Sequence, residues 1–340
     1  MIQLGMASNI PNRSLFCHDN LEILQGINSS SIDLIYLDPP FNKKKTFTAS
    51  MGSDAEGAIF RDIFREGDLK EGFLDAIKED HPKMHSFLES QRNRKGKSYN
   101  FCYLTYMAIR LMEMDRILKS TGSIYLHCDP TMSHYLKILM DMIFGEENFR
   151  NEIIWCYAGG GISKRDFPKK HDVILRYGKS MDYTFNVDDV RVPYESDQRE
   201  AQFSVRSRAP GFIYKPHPKG KVVEDWWRNL PRPYGGDHVG YPTQKPLKLL
   251  ERIIKVSSHV GDLVLDPFCG CATTCVAAEK LGRQWIGIDV SVKTYELLKQ
   301  RLAKEIERRD NAESGILFWE AKINYQTDRP PKRTDRREKT

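Results

Sequence analysis

A mostly apolar run at residues 32–37 ends at the tetrapeptide Asp38-Pro39-Pro40-Phe41, and this junction constrains the fold more than any other feature of the chain. The run predicts a buried β-strand. Two prolines cannot continue a strand, because proline lacks a backbone N–H and has a fixed φ, so the chain must turn here. An acid, two free carbonyls and an aromatic ring therefore lie at the carboxyl end of a strand, where open α/β sheets bind ligands.

The tetrapeptide suits a flat molecule that carries an amino group. A carboxylate and a carbonyl oxygen accept hydrogen bonds from an NH2 group, and an aromatic ring stacks on a planar one. Taken alone, the tetrapeptide fits equally well an ordinary proline turn in which Asp38 is a cap. The rest of the sequence has to decide between these two interpretations.

A second strand, turn and helix is predicted at residues 263–281. Its turn consists of small residues, which let the backbone approach a ligand closely. The next strand ends at Asp289, where a carboxylate can hold ribose hydroxyls. The Gly-x-Gly-x-x-Gly spacing of dinucleotide-binding turns is missing, so the pattern favours a nucleoside without a pyrophosphate.

Together the two patterns resemble the amino-methyltransferases that act on DNA bases with S-adenosylmethionine. The Asp-Pro-Pro-Phe tetrapeptide resembles their catalytic motif, and residues 266–272 resemble their cofactor motif, usually written Phe-x-Gly-x-Gly. Ala272 stands at the last glycine of that motif, and alanine disfavours a positive φ. The catalytic motif comes first, which is the family's β arrangement, and the resemblance covers nearly all of residues 14–304.

The resemblance also implies the roles of individual residues. The catalytic residues are Asp38, Pro39, Pro40 and Phe41. The cofactor-binding residues are Asp19, Thr243, Gln244, Lys245, Asp266, Pro267, Phe268, Cys269, Gly270, Thr273 and Asp289. In this assignment Asp19 lies at the adenine ring, Asp289 at the ribose and Lys245 at the methionine end. A compatible interpretation makes Asp19 the N-cap of the helix that begins at Asn20.

The implied fold is α/β, a circularly permuted Rossmann-like methyltransferase fold. It has a mostly parallel seven-stranded sheet with helices on both faces, plus a small target-recognition region. The expected divisions are a catalytic half at residues 1–157 with an insertion at 43–98, a target-recognition region at 158–240, the cofactor-binding half of the same domain at 241–310, and a tail at 311–340 whose end is expected to be disordered.

Apolar spacing adds three elements to this outline. Core helices are predicted at residues 103–118 and 133–144, and a strand at 122–128. His127 lies near the end of that strand, where we expect a buried, hydrogen-bonded histidine. The insertion at 43–98 is charged and irregular, and we expect it to be partly helical and to lie next to the active site.

Charge favours a polyanionic partner, here double-stranded DNA. The net charge is +6 and the sequence pI is about 8.8. The candidate phosphate contacts are Lys43, Lys44, Arg206, Arg208 and Lys215. The alternative for each of them is ordinary solvated charge. Beyond DNA, the resemblance leaves open a homodimer and a cognate restriction endonuclease as partners.

Several classes of protein are disfavoured by the sequence. No apolar stretch reaches the length of about 18 residues that a membrane span needs, and no signal pattern is present. The seven irregularly spaced cysteines favour reduced thiols in a cytoplasmic protein, associated with the nucleoid when bound to DNA. Cys269, Cys271 and Cys275 have no nearby histidine and no Cys-x-x-Cys pair, so small turn fillers explain them better than a metal.

The predicted activity is adenine-N6 methylation of a base flipped out of a specific DNA sequence. Aspartate at the first motif position favours adenine in the family, whereas serine is commoner in cytosine-N4 enzymes. The alternatives are cytosine-N4 methylation, a DNA-binding protein that keeps the fold without catalysis, and an RNA or protein amine methyltransferase. Ring-carbon methylation needs a nucleophilic cysteine, and the Pro-Cys pair of that family is absent from the sequence.

Overall fold

The computed structural model describes residues 8–93, 98–158, 163–194, 217–228, 230, 232–233, 237–310, 323–326 and 329–335. Within them a nine-stranded sheet passes through the centre of the protein. In order across the sheet its strands are β11 (Asn324–Gln326), β1 (Ser14–Cys17), β10 (Gln284–Asp289), β9 (Leu263–Asp266), β2 (Ile32–Leu37), β5 (Leu118–Cys128), β7 (His171–Gly178), β6 (Phe149–Cys156) and β8 (Trp226–Trp227). Strand β7 pairs antiparallel with β5 and β6, and the other pairings in this sheet are parallel.

The sheet has two more strands than the expected seven, one at each edge. The seven strands from β1 across to β6 form the mostly parallel sheet that the family resemblance implies. Two short strands are added, β11 with three residues and β8 with two. Strands this short contain no apolar period, so a sequence pattern could not reveal them.

Helices cover both faces of the sheet, because successive side chains of a strand point to opposite faces. Phe16 and Ile35 belong to the core on one face, and Leu15 and Leu34 belong to the core on the other. The first face is covered by α1 (Asn20–Gly26), α4 (Ser98–Ile117) and α5 (Ser133–Phe144), and the second by α6 (Leu247–Ser257), α7 (Thr273–Lys280) and α8 (Lys293–Asp310). The predicted core helices are α4 and α5. No helix of the described residues is long and apolar enough to cross a membrane.

The insertion at residues 43–98 contains more than the helices that its sequence predicts. It begins with an antiparallel hairpin of β3 (Lys45–Thr48) and β4 (Ile59–Asp62), followed by α2 (Phe73–Asp80) and α3 (Pro82–Arg92). The hairpin strands are mostly exposed, so they lack the apolar alternation that would reveal a half-buried strand. Three short 3-10 helices also lie within the described residues, at Glu66–Asp68, Glu146–Asn148 and Val187–Val190.

The pairing of β2 with β9 creates the functional edge of the sheet. The two strands are parallel neighbours, with Ile35 opposite Leu265. Their carboxyl ends therefore meet at the same edge, although they are far apart in the sequence. As a result, Asp38 after β2 and Asp266 at the end of β9 face the same space, which is the position that ligands occupy in open parallel sheets.

Residues 329–335 are held by hydrogen bonds, although they belong to the tail for which the sequence predicts disorder. Residues 329–335 lie against the loop that follows α1. Asn28 donates to the Thr334 hydroxyl (2.7 Å) and accepts from the Thr334 N–H (2.8 Å), while the Ser29 N–H donates to Asp335 (2.8 Å). A Cβ atom at Gly26 would lie 1.9 Å from the Pro331 carbonyl oxygen, so glycine is needed for this close approach. Such pairing depends on tertiary contacts, which composition does not show.

Candidate active site

A cavity of about 760 Å³ opens at the carboxyl edge of the sheet. Its walls come from the ends of β1, β2, β9 and β10, from the β3–β4 hairpin and from the segment before α6. The predicted site residues that line it are Asp19, Asp38, Pro39, Pro40, Phe41, Lys43, Thr243, Gln244, Lys245, Asp266, Pro267, Phe268, Cys269, Gly270, Thr273 and Asp289. The fold thus brings every predicted catalytic and cofactor-binding residue to a single cavity.

Asp38 is held by one oxygen and leaves the other open. Its Oδ2 accepts a hydrogen bond from the Lys245 ammonium group (2.5 Å), which also donates to the Thr243 carbonyl (3.3 Å). Both charged side chains are largely buried. The Oδ1 atom of Asp38 is buried and has no hydrogen-bond partner among the described residues. A buried acceptor of this kind is costly unless a ligand supplies a donor.

Asp62, at the end of β4, fixes the turn that contains the tetrapeptide. Its carboxylate accepts hydrogen bonds from the backbone N–H groups of Phe41 (3.1 Å), Asn42 (2.6 Å) and Lys43 (3.0 Å). Burial raises the pKa of Asp62, and the three N–H donors act against that rise. Sequence reasoning missed this residue. No local signal marks it, because the strand that carries it has no apolar alternation.

His127 is fully buried and packs against the ring of Phe41. The two rings stack, with centroids 6.0 Å apart and planes inclined by 16°. The imidazole forms hydrogen bonds with the Tyr36 hydroxyl (2.9 Å) and with Asp172 (3.3 Å). The prediction of a buried, hydrogen-bonded histidine is therefore confirmed.

Asp172 brings a second carboxylate to the same end of the cavity. It lines the cavity together with Tyr157, whose hydroxyl donates to it (3.1 Å). Burial acts to raise the pKa of Asp172, but the hydrogen bond and charge of His127 and the charge of Lys245 outweigh it and lower the pKa to about 2. Asp172 is therefore an anion at neutral pH. Sequence reasoning missed it, because no local motif marks it.

Asp19 lies at the opposite end of the cavity and caps a helix. Its carboxylate accepts from the Leu21 N–H (2.8 Å), which makes it the N-cap of α1. It also accepts two hydrogen bonds from the guanidinium group of Arg110 (3.0 and 3.1 Å). Arg110 is almost fully buried and donates in addition to Asn20 (2.6 Å). No sequence motif indicated Arg110.

The small-residue turn after β9 is tied to Asp289. One oxygen of Asp289 accepts from the Gly270 N–H (2.8 Å), and the other accepts from the Ser291 N–H (2.9 Å). Gly270 and Ala272 both have positive φ values, 52° and 59°. Ala272, which replaces the last glycine of the motif, therefore adopts a left-handed backbone conformation, which costs about 1 kcal/mol of stability.

Asp266, behind this turn, is fully buried and fully hydrogen-bonded. It accepts from the Thr274 hydroxyl (2.5 Å) and from the Phe268 N–H (3.0 Å). Burial raises the pKa of Asp266 to about 7, and these two donors act against that rise. The cysteines nearby act as packing groups: a Cβ atom at Gly287 would lie 2.9 Å from the Cys275 sulfur and 3.1 Å from the Cys269 sulfur.

The candidate DNA-binding residues are only partly described. The Lys43 ammonium group forms an ion pair with Asp129, and Lys44 lies over the Tyr99 ring, 4.8 Å from its centroid. Both lysines therefore have protein partners. Arg206, Arg208 and Lys215 lie outside the described residues.

Comparison with known proteins assigns the family. The family model N6_N4_Mtase, described as DNA methylase, matches residues 32–300, which is most of the chain. This chain belongs to that family. It is therefore a methyltransferase that acts on DNA, and its methyl donor is S-adenosylmethionine.

Similar proteins cover nearly the whole chain. DNA adenine methyltransferase YhdJ of Escherichia coli is 28% identical over 317 residues, which are 90% of each chain. The type II methyltransferase M.HpaI of Haemophilus parainfluenzae is 26% identical over 90% of this chain and 79% of its own length. Among solved structures, the cytosine-N4-specific PvuII DNA methyltransferase is 15% identical, with a TM-score of 0.49, and the match covers 90% of this chain and 98% of that chain.

The cavity of this DNA methylase fits the cofactor. S-adenosylmethionine is a nucleoside joined to an amino acid, and it needs acceptors for ribose hydroxyls and an apolar surface for adenine. The carboxylates of Asp19 and Asp289 and the ring of Phe268 all line the cavity. The left-handed turn at Gly270 brings the backbone close to the same space.

Proposed function

We propose that this DNA methylase transfers a methyl group to the exocyclic N6 atom of adenine, and that Asp38 holds the target amine. The observation that carries the proposal is the open Oδ1 atom of Asp38, a buried acceptor without a partner among the described residues. An NH2 group would satisfy it. The Lys245 ammonium group binds the other oxygen, which favours an orientation in which Oδ1 stays available to a ligand.

The chemical difficulty lies in the amine. The lone pair of an exocyclic amino group is delocalised into the base, which makes the nitrogen a poor nucleophile. Hydrogen bonds from the NH2 group to Asp38 and to the Pro39 carbonyl favour a pyramidal nitrogen and localise the lone pair. S-adenosylmethionine supplies the methyl group, and the cavity walls must align donor and nitrogen. Because Asp38 is assigned to the amine, it is also our candidate acceptor for the proton that the methylated nitrogen releases.

The substrate position follows from the location of the amine in DNA. It lies inside the duplex, so the base must be flipped out to reach the cavity. Phe41 lines the cavity and rests on His127, which makes Phe41 the candidate for stacking on the extruded base. The support from His127 keeps the ring in place when no base is bound.

The cofactor is assigned to the other end of the cavity. Asp289 is the candidate ribose ligand and Asp19 the candidate neighbour of the adenine ring. The methionine end is assigned to the segment before α6, which contributes Lys245. The remaining candidate contacts are Thr243, Gln244, Asp266, Pro267, Phe268, Cys269, Gly270 and Thr273.

Adenine is proposed over cytosine on two grounds. Aspartate at the first motif position favours adenine within the family, and a relative that matches 90% of this chain is named as a DNA adenine methyltransferase. Cytosine-N4 methylation remains the second candidate, because a cytosine amine would satisfy the Asp38 oxygen equally well.

We also propose a cytoplasmic location with double-stranded DNA as substrate, and a cognate endonuclease as partner, since M.HpaI is a type II methyltransferase. A homodimer is proposed from the family resemblance alone.

The test is to methylate a mixed DNA library and to identify the product. Digested nucleosides are analysed by mass spectrometry, and the modified positions are mapped by sequencing. We expect N6-methyladenine at one DNA sequence with the native protein, and none with Asp38→Ala. Asp80→Ala is the matched control, because Asp80 is an exposed aspartate at the end of α2. N4-methylcytosine would establish the second candidate, and unmodified DNA would contradict both.

A further inference from the structure

The loop between β6 and β7 presents an aromatic ring to solvent. Phe167 is 97% exposed, and residues 163–169 around it are all exposed. Residues 163–170 contain four cations and one acid: Lys164, Arg165, Lys169 and Lys170 against Asp166. A single exposed apolar residue is common on protein surfaces. A fully exposed ring within a basic loop is a more specific combination, because it pairs a stacking group with phosphate-binding groups.

The loop arises at the rim of the active-site cavity. The residues on either side of it, Tyr157 and Asp172, both line the cavity. The loop is closed at its base by a hydrogen bond from the Tyr157 N–H to the Lys170 carbonyl (3.0 Å). Phe167 is five residues from Asp172, so their Cα atoms are at most roughly 17 Å apart. The loop therefore holds the ring within a short length of chain from the rim of the cavity.

The backbone around Phe167 is restricted on both sides. The Ser163 hydroxyl accepts hydrogen bonds from the N–H groups of Arg165 (3.4 Å) and Asp166 (3.0 Å), which fixes a turn just before Phe167. Pro168 follows the ring, and a residue before proline is restricted to an extended backbone. The backbone on both sides of the ring is therefore restricted, while the side chain itself stays open to solvent.

We propose that this loop inserts Phe167 into the DNA duplex at the target site, where the ring fills the gap that the flipped base leaves. The proposal rests on the proposed function, since it requires an extruded base. Flipping breaks the stacking of the target base on its neighbours. An apolar wedge between the neighbouring bases restores part of that stacking and keeps the gap from closing. The cations of the loop bind the adjacent phosphates.

The test uses Phe167→Ala and Phe167→Trp in the full-length protein. Val260 provides the matched controls, Val260→Ala and Val260→Trp. It is 76% exposed and lies just before β9, at the amino edge of the sheet, away from the cavity. The DNA is a short duplex that contains the methylation site mapped with the native protein.

Two measurements are made on these variants. In single-turnover methylation, we expect Phe167→Ala to be slower than the native protein by about 5- to 100-fold, the loss of one stacking contact, and Val260→Ala to stay within about twofold. Cofactor affinity measured by calorimetry should be unchanged in both. The second measurement is tryptophan fluorescence. The native protein has five tryptophans, so its emission is subtracted from that of Phe167→Trp. The remaining emission, which comes from the new tryptophan, should be quenched when the duplex binds. The emission of Val260→Trp should not change.

Each result decides the proposal. A native methylation rate in Phe167→Ala would overturn it, and so would unquenched emission of Phe167→Trp on the bound duplex. Slow methylation by Phe167→Ala together with quenching supports it. If the native protein itself methylates no DNA, the proposed function fails, and the insertion of Phe167, which requires an extruded base, is overturned with it. If the native protein methylates DNA and Phe167→Ala does so at the native rate, only the insertion of Phe167 is overturned.

Discussion

The proposed cofactor end and the proposed target end of the cavity differ in the hydrogen bonds that their carboxylates accept. At the proposed cofactor end, Asp266 accepts from the Phe268 N–H and the Thr274 hydroxyl, which follow it in the sequence. Asp289 accepts from the Ser291 N–H and from the Gly270 N–H of the turn after β9, so both oxygens of each carboxylate have a protein donor. At the target end, Asp38 has one oxygen held by Lys245, 207 residues away in the sequence, and the other oxygen open.

This difference in hydrogen bonding suggests different roles for the two ends, cofactor binding at one and catalysis at the other. Carboxylates that are fully hydrogen-bonded hold a turn in its bound shape before any ligand arrives, which reduces the ordering that binding requires. A carboxylate with an open oxygen is unsatisfied until the amine reaches it, so that interaction is reserved for the reacting group. Substitutions at the target end should therefore change the reaction, and those at the cofactor end should change cofactor affinity.

The largest effect is expected from Asp38→Ala. Losing a contact to the reacting amine should lower the single-turnover methylation rate by about 10²- to 10³-fold or more. Cofactor affinity should stay within a few-fold, because Asp38 is assigned to the target base. The rate is measured by single-turnover methylation and the affinity by calorimetry. Near-native turnover would mean that the target end has been misassigned.

A smaller effect is expected from Asp62→Ala. Three backbone N–H groups lose their shared acceptor, so we expect the free energy of unfolding to fall by about 2–4 kcal/mol and methylation to slow with it. Denaturant unfolding and single-turnover rates measure the two effects. Asp62→Asn keeps one acceptor oxygen and should lie between the native protein and Asp62→Ala. Equal stability of all three proteins would show that Asp62 does not hold the catalytic turn.

At the cofactor end, Asp289→Ala should weaken cofactor binding by about 1–3 kcal/mol. The substitution removes the proposed ribose contact and frees the Gly270 N–H that shapes the turn. Calorimetry measures the affinity, and circular dichroism confirms that the variant is folded. A folded variant with native affinity would contradict the assignment of this end. With saturating cofactor, its methylation rate should recover further than that of Asp38→Ala.

The smallest effect on the methylation rate with saturating cofactor is expected from Asp266→Asn, since Asp266 is already satisfied by protein donors. Its effect should appear in the pH dependence of stability. Burial raises the pKa of Asp266 to about 7, so between about pH 4 and pH 7 the folded protein retains a proton that the unfolded chain has lost. This contribution to stability is therefore present at low pH and is lost as the pH rises through 7. Thermal unfolding across this range should show a weaker pH dependence for Asp266→Asn than for the native protein.

The sequence by itself determined the local elements of this protein. Two prolines after an apolar strand require a turn at Asp38, and small residues after β9 allow the left-handed turn at Gly270. These rules act within a few residues, so no tertiary information was needed to apply them. Together with the family resemblance, they predicted the catalytic and cofactor-binding residues, all of which line the cavity. They also located the core helices α4 and α5.

Only the tertiary structure decided which distant groups meet. The pairing of β2 with β9 brings two turns to one edge, and the hairpin carries Asp62 to the catalytic turn. Arg110 contacts Asp19 from within α4, and Asp172 lines the cavity from the start of β7; no local motif marks either residue. The sequence could not indicate these residues, because each depends on the path of the chain between elements far apart in the sequence. The same reason explains the bound tail at residues 329–335, whose composition alone predicted disorder.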